Sequence, residues 1–135
     1  MSKLKRFALV SVFAGAAALA FGMSRPDETI SGYSGEDEFV LAEMMGSPVD
    51  VHVTIAFPEE GKIVGQAPCN RYFTSQDAPL PWFQVGPIGA TKMACENLDI
   101  EQQYFDLLSK ATLAEIQGDQ LLLSNDSQVL LSFMR

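Results

Sequence analysis

The sequence predicts an α+β domain, a curved antiparallel sheet of hairpins and a C-terminal meander covered by one main helix. Three observations carry this prediction. Val51, Val53 and Ile55 alternate with Asp50, His52 and Thr54, the period of a half-buried strand with one wet face. Between residues 97 and 111 the period changes, and Ile100, Tyr104, Leu107, Leu108 and Ala111 gather on one side of a helix. Beyond it, three short apolar runs are separated by Gln117-Gly118-Asp119 and Asn125-Asp126-Ser127, the pattern of a meander. There is no internal repeat at solenoid or propeller spacing, and no strand and helix alternation of a nucleotide-binding α/β fold.

Taken in order, the chain opens with a targeting segment. Lys3, Lys5 and Arg6 form a positive start, residues 7–20 are apolar or small, and Ala18-Leu19-Ala20 supplies the small-x-small pattern of a cleavage site. Residues 1–20 are therefore expected to be a signal peptide cleaved after Ala20, or alternatively after Gly22. An uncleaved inner-membrane anchor is the other reading, since no charge falls between Phe7 and Ser24. No cysteine follows the apolar run, so a lipoprotein signal is excluded; the first is Cys69. Residues 21–37 read as a flexible acidic linker, rich in Pro, Gly, Ser and acids from Ser24 onward, where Ile30 and Tyr33 are the two isolated apolar residues suited to docking.

The folded unit is expected over residues 38–135. It begins with a strand over 39–44, ended by Gly46-Ser47-Pro48. The alternating strand follows, then a turn at Pro58-Glu59-Glu60-Gly61 and its hairpin partner at 62–65. Tyr72 and Phe73 suggest a short strand, and residues 80–85 another, with Pro79 and Pro81 confining its start to an edge. In the helix, Asp99 and Gln102 have the spacing of a capping arrangement, and Lys110 sits at the negative end of the dipole. The meander strands are placed at 113–116, 120–124 and 129–134.

Charge and composition exclude several functions. At 47% hydrophobic and 19% charged, the chain is globular rather than disordered. Removing Lys3, Lys5 and Arg6 from its nine basic residues leaves six against seventeen acids, or −11 for the processed form. Such a chain repels phosphate backbones, so nucleic acid is not an expected partner. Contact with a membrane is expected only through the N-terminal segment, if that is uncleaved.

Residues 65–95 hold both cysteines and the only tryptophan. In an exported domain, a lone pair of cysteines is expected to form a disulfide, Cys69 to Cys95. It would close a loop of about 27 residues, a constraint of roughly 3.5 kcal/mol in the chain-entropy account. Redox catalysis would favour a close Cys-x-x-Cys, which is missing. Cysteine nucleophilic catalysis needs a neighbouring base, and the single histidine, His52, falls on the wet face of a strand. Two cysteines and one histidine do not complete a zinc site, and no calcium loop or phosphate-binding glycine loop is present. No catalytic residue, metal or cofactor is therefore expected. Asn70 and Arg71 are candidates to meet a carboxylate on a ligand, or else to bond the local turn and a nearby acid. Tyr72, Phe73 and Trp82, with Phe83, are candidates to line an apolar pocket, or else to fill the core.

Gly65-Gln66-Ala67-Pro68-Cys69-Asn70-Arg71-Tyr72-Phe73 resembles the first signature of the META domain (HslJ-like) family, a glycine-containing turn leading into Cys-Asn-Arg and an aromatic residue. Gly86-Pro87-Ile88-Gly89-Ala90-Thr91-Lys92-Met93-Ala94-Cys95 resembles its second, Gly-Pro followed by a Thr-basic-Met-Ala-Cys run, and Gly118-Asp119-Gln120-Leu121 follows in the family's order. This chain has Pro68 where the family commonly has Gly, Phe39 where an early Trp is frequent, and Lys92 in place of Arg. The resemblance implies links to heat shock, antibiotic tolerance and virulence, with no agreed reaction. The expected function is thus an exported, periplasmic, non-enzymatic domain with a stress-related structural or binding role, whose partner is an envelope protein or apolar ligand. The alternative is a thiol-dependent redox factor or other enzyme using Cys69 or Cys95.

Overall fold

The computed structural model describes residues 28–135. The signal peptide or anchor, and the linker as far as residue 27, lie outside the described residues. The first element is a short helix, α1 (Ile30–Ser34). Its Ile30 is 1% exposed and belongs to the core. From Thr29 onward the expected solvated linker is thus corrected. A single large apolar side chain docks the segment against the sheet, while Tyr33 points to solvent.

Nine antiparallel strands form one sheet among the described residues: β1 (Glu38–Met44), β2 (Ser47–Pro48), β3 (Thr54–Ala56), β4 (Lys62–Gln66), β5 (Arg71–Ser75), β6 (Gly89–Ala90), β7 (Leu113–Gln117), β8 (Gln120–Ser124) and β9 (Val129–Met134). The order is β6-β5-β4-β3-β1-β9-β8-β7, with β2 folded back onto β1. Met45 and Gly46, both at positive φ, form the two-residue turn between β1 and β2. Register shifts in β1–β9 and β8–β9 add bends to the sheet. The β7–β8–β9 meander falls where the sequence places it.

The alternating stretch is less regular than its pattern. Only Thr54–Ala56 pairs as a strand, and Val53, Thr54 and Ile55 are all buried, so Thr54 does not face water. His52 is exposed. The strand expected at 80–85 does not form. Pro81 has no N–H to give, and the Trp82 N–H turns back to the Pro79 carbonyl, leaving only single bridges at Trp82–Leu113 and Gln76–Val85. Those bridges still matter. The Phe83 N–H bonds the Thr112 carbonyl and the Ala114 N–H bonds that of Pro81, so this loop covers the start of edge strand β7, and α1 also packs on β7. The exposed ladder of an edge strand is thereby capped from two sides.

One 13-residue helix, α2 (Leu98–Lys110), packs into the concave face of the sheet. Tyr104, Leu107 and Leu108 are buried against an inner layer that includes Phe39, Ile55, Ile63, Tyr72, Leu121, Leu131 and Phe133. The helix begins at Asn97, which makes no side-chain cap; Asp99 instead lies in the first turn, where it favours the dipole, and the expected Asp99–Gln102 cap is corrected. Lys110 closes the last turn and pairs with Asp106. Arg135 ties the ends together. It bonds Asp37 and the Gly118 carbonyl, and its guanidinium lies 5.0 Å from the centre of the Phe39 ring.

Candidate functional site

Cys69 and Cys95 are joined by a disulfide, with an S–S distance of 2.02 Å and their Cα atoms 5.6 Å apart. The bond pins the loop between β4 and β5 to the segment just before α2. Asn70 fastens the same two segments a second time. Its Nδ2 donates to the Met93 carbonyl (2.9 Å) and to Glu101 Oε2 (2.7 Å), and its Oδ1 accepts from Thr91 Oγ1 (2.8 Å) and the Met93 N–H (2.7 Å). Two donors and two acceptors are all that an amide side chain has, so Asn70 keeps no capacity for a ligand.

Glu101 is the residue that sequence reasoning missed. It is 3% exposed, and its Oε1 accepts the backbone N–H groups of Cys69 (2.9 Å) and Asn70 (2.8 Å) while Oε2 takes the Asn70 amide. A buried carboxylate is tolerated because three donors surround it. The signal was present in the chain: Glu101 stands three residues before Tyr104 and seven before Leu108, on the face of the helix that is buried.

Tyr72, next but one along β5, enters the core. Its hydroxyl donates to the Thr54 carbonyl (2.7 Å) and contacts that of Tyr104 (2.6 Å). Tyr72 has one hydroxyl hydrogen, already given to Thr54, so Tyr104 is the donor in the pair. Burial pushes both phenols well above their ordinary value, and Tyr104 nearby adds to the effect on Tyr72. The contact depends on Gly65: a Cβ there would stand 2.1 Å from the Thr54 carbonyl oxygen and 2.7 Å from the Tyr72 ring.

The alternate residues of β5 point outward. Arg71 is exposed and, among the described residues, no carboxylate pairs with it. Phe73 is 63% exposed and its ring lies across Gly89, where an added Cβ would come within 2.5 Å of it. Together with Glu38, Thr54, Val64 and Gln66 they border a cleft of about 350 Å³ on the outer face. The cleft opens where β3 and β4 separate. Their ladder holds Ala56–Val64, but at the next position the Gln66 N–H bonds the Thr54 hydroxyl instead of a carbonyl. Of the aromatic candidates, Tyr72 and Phe83 are thus core, while Phe73 and Trp82 (59% exposed) stand on the surface. Among the described residues, no group of three or more His, Cys, Asp or Glu is placed to hold a metal ion. No described helix is long and apolar enough to cross a membrane.

A curled antiparallel sheet around one helix, with two loops stapled by a disulfide and by an Asn–Glu bond network, defines a small α+β domain whose motif residues divide between knot and surface. The chain belongs to the META domain family, whose sequence model matches residues 33–135. Two solved structures share the fold. One NMR structure is 22% identical with a TM-score of 0.60, the match covering 83% of this chain and 95% of that one. Another, of a protein from Burkholderia xenovorans, is 21% identical with a TM-score of 0.59 over 97% of this chain and 94% of that one. A search of curated proteins finds no match.

Proposed function

We propose that this META-domain protein is an exported, periplasmic, non-enzymatic binding domain that supports the cell envelope under stress. Its outer-face cleft receives an envelope protein or an amphipathic ligand carrying an anionic group. One observation carries the reading: Arg71 and Phe73 stand side by side on the surface with no partner for the guanidinium among the described residues, while their neighbours Asn70 and Tyr72 are fully engaged in the fold. An unpaired Arg fork beside an apolar ring suits a carboxylate or phosphate attached to an apolar body. Export is supported by the N-terminal pattern and by the Cys69–Cys95 bond, since such bonds persist in oxidising compartments. Cysteines held in a bond also offer no thiolate for the alternative, thiol-dependent chemistry.

The test is affinity capture from native envelope extracts, with the bound protein and extracted lipid both analysed, using wild type and the Arg71→Glu/Phe73→Ala double variant. Material retained by the wild type and lost from a folded double variant is expected. Equal retention by both would remove the cleft from the account.

A further inference from the structure

A second cavity, separate from the Arg71 cleft, lies between the β1–β2 hairpin, residues 49–51 and the first turns of α2. Its volume is about 320 Å³, within the range of small-ligand sites. Met44, Met45, Pro48, Val49, Val51 and Ile100 give it apolar walls, and Asp50 is the one charged residue among those that line it. Val49, Val51 and Ile100 pack against the core yet stay partly exposed, so the cavity is an apolar surface the chain itself leaves uncovered. The hairpin is fixed in place, with the Met45 N–H on the Leu130 carbonyl and the Val49 N–H on that of Ala42. Met45 runs against two local preferences. It takes φ of 51° in a two-residue turn, a position that Asn, Asp or Gly adopts with less strain. Its side chain is also 45% exposed, so burial within the chain does little to offset that strain. A long thioether side chain held in a strained turn at the mouth of an apolar cavity is accounted for by contact with something that fills the cavity.

We propose that this cavity binds a small lipophilic ammonium, whose alkyl chain lies against the methionines and Ile100 while its cationic head meets Asp50. The walls select the chain. They offer apolar surface, and the flexible, polarisable side chains of Met44 and Met45 adapt to an unbranched hydrocarbon. The rim selects the sign of the head. No Lys or Arg lines the cavity, so an anionic head would meet only the Asp50 carboxylate and the −11 charge of the processed chain, whereas a cation is drawn by both. A bare divalent metal would need six or more oxygens, but a quaternary ammonium needs no coordinating set, so a single carboxylate serves it. None of the residues lining this cavity borders the Arg71 cleft, and the charge it selects is the opposite one.

Methionine methyl groups report the site directly. The disulfide-bonded protein, isotopically labelled at those methyls, is titrated by NMR with octyltrimethylammonium, decyltrimethylammonium and decyl sulfate, each below its micelle concentration. Saturable shifts of the Met44 and Met45 methyls are expected with the ammonium compounds, while the exposed Met93 and Met134, outside the cavity, stay unchanged. The decyl compound should bind with Kd on the order of 0.1–1 mM, and the octyl compound, shorter by two methylenes, about tenfold more weakly. Decyl sulfate should bind at least about tenfold more weakly than its ammonium counterpart, and Asp50→Asn should shrink that difference about threefold or more. Met45→Asn, which suits the turn, should weaken binding about fivefold or more without lowering the urea midpoint. Arg71→Glu should leave the titration unchanged, which separates this site from the cleft. Shifts of Met93 and Met134 in step with those of Met44 and Met45, equal binding of decyl sulfate, or wild-type affinity in Met45→Asn would overturn the proposal. So would the lack of any response up to about 10 mM decyltrimethylammonium.

Discussion

Asn70 and Arg71 are adjacent in the chain and opposite in role, because successive residues at a strand entry face opposite sides. Asn70→Ala removes four hydrogen bonds and leaves Glu101 Oε2 without its donor, so a loss of about 3 kcal/mol is expected in urea unfolding. Glu101→Ala should cost a similar amount, about 2–4 kcal/mol, since it orphans two backbone N–H groups and the Asn70 amide. The Tyr72–Tyr104 pair gives a pH dependence whose sign is fixed by burial. Both phenols titrate higher in the folded state than the ordinary value of about 10 they have when unfolded, so the folded chain holds these protons more tightly. Their contribution is complete below pH of about 10 and is lost as pH rises beyond it. Denaturation midpoints followed from pH 8 upward should be level with respect to these groups until about pH 10 and then fall, and a Tyr104→Phe variant should fall less steeply. A wild-type midpoint that stays level to about pH 11 would contradict this.

At the scale of elements, the staple and the docked helix α1 make separate contributions. Replacing both cysteines by serine should lower stability by about 3 kcal/mol while leaving the far-UV spectrum native, because Asn70 and Glu101 still hold the same two loops. Ile30→Ala should cost about 2–4 kcal/mol as a cavity in the core, an effect that a solvated linker would not show. The two cases mark what the sequence made legible. The helix at 97–111 and the meander were readable because their apolar periods are local and unbroken. Ile30 and Tyr33 were legible as residues suited to docking, but that Ile30 docks and Tyr33 does not was hidden, because an isolated apolar residue in a polar segment has no period. The loop at residues 80–85 misled because its apolar content matched a strand, while its prolines withheld the N–H groups that a ladder requires. Glu101 was hidden by its residue type: a carboxylate on an apolar helix face is read as solvated until the donors that meet it, 31 and 32 residues away in sequence, are brought together.

For the whole molecule, the arrangement separates holding from presenting. The two family signatures converge on a knot: the Asn70–Glu101 network and the Tyr72–Tyr104 pair face inward, and the disulfide, whose Cys95 is exposed, ties the same loops together at the surface. The side chains interleaved with them, those of Arg71 and Phe73, make no hydrogen bond within that knot among the described residues and border the cleft, although the Arg71 backbone bonds Thr91. A matched pair of urea titrations on Asn70→Ala and Arg71→Ala tests this division most directly. The predicted result is a stability loss of about 3 kcal/mol for Asn70→Ala and a change within about 0.5 kcal/mol for Arg71→Ala. Equal losses for the two variants, or a larger loss for Arg71→Ala, would contradict the separation of fold from surface.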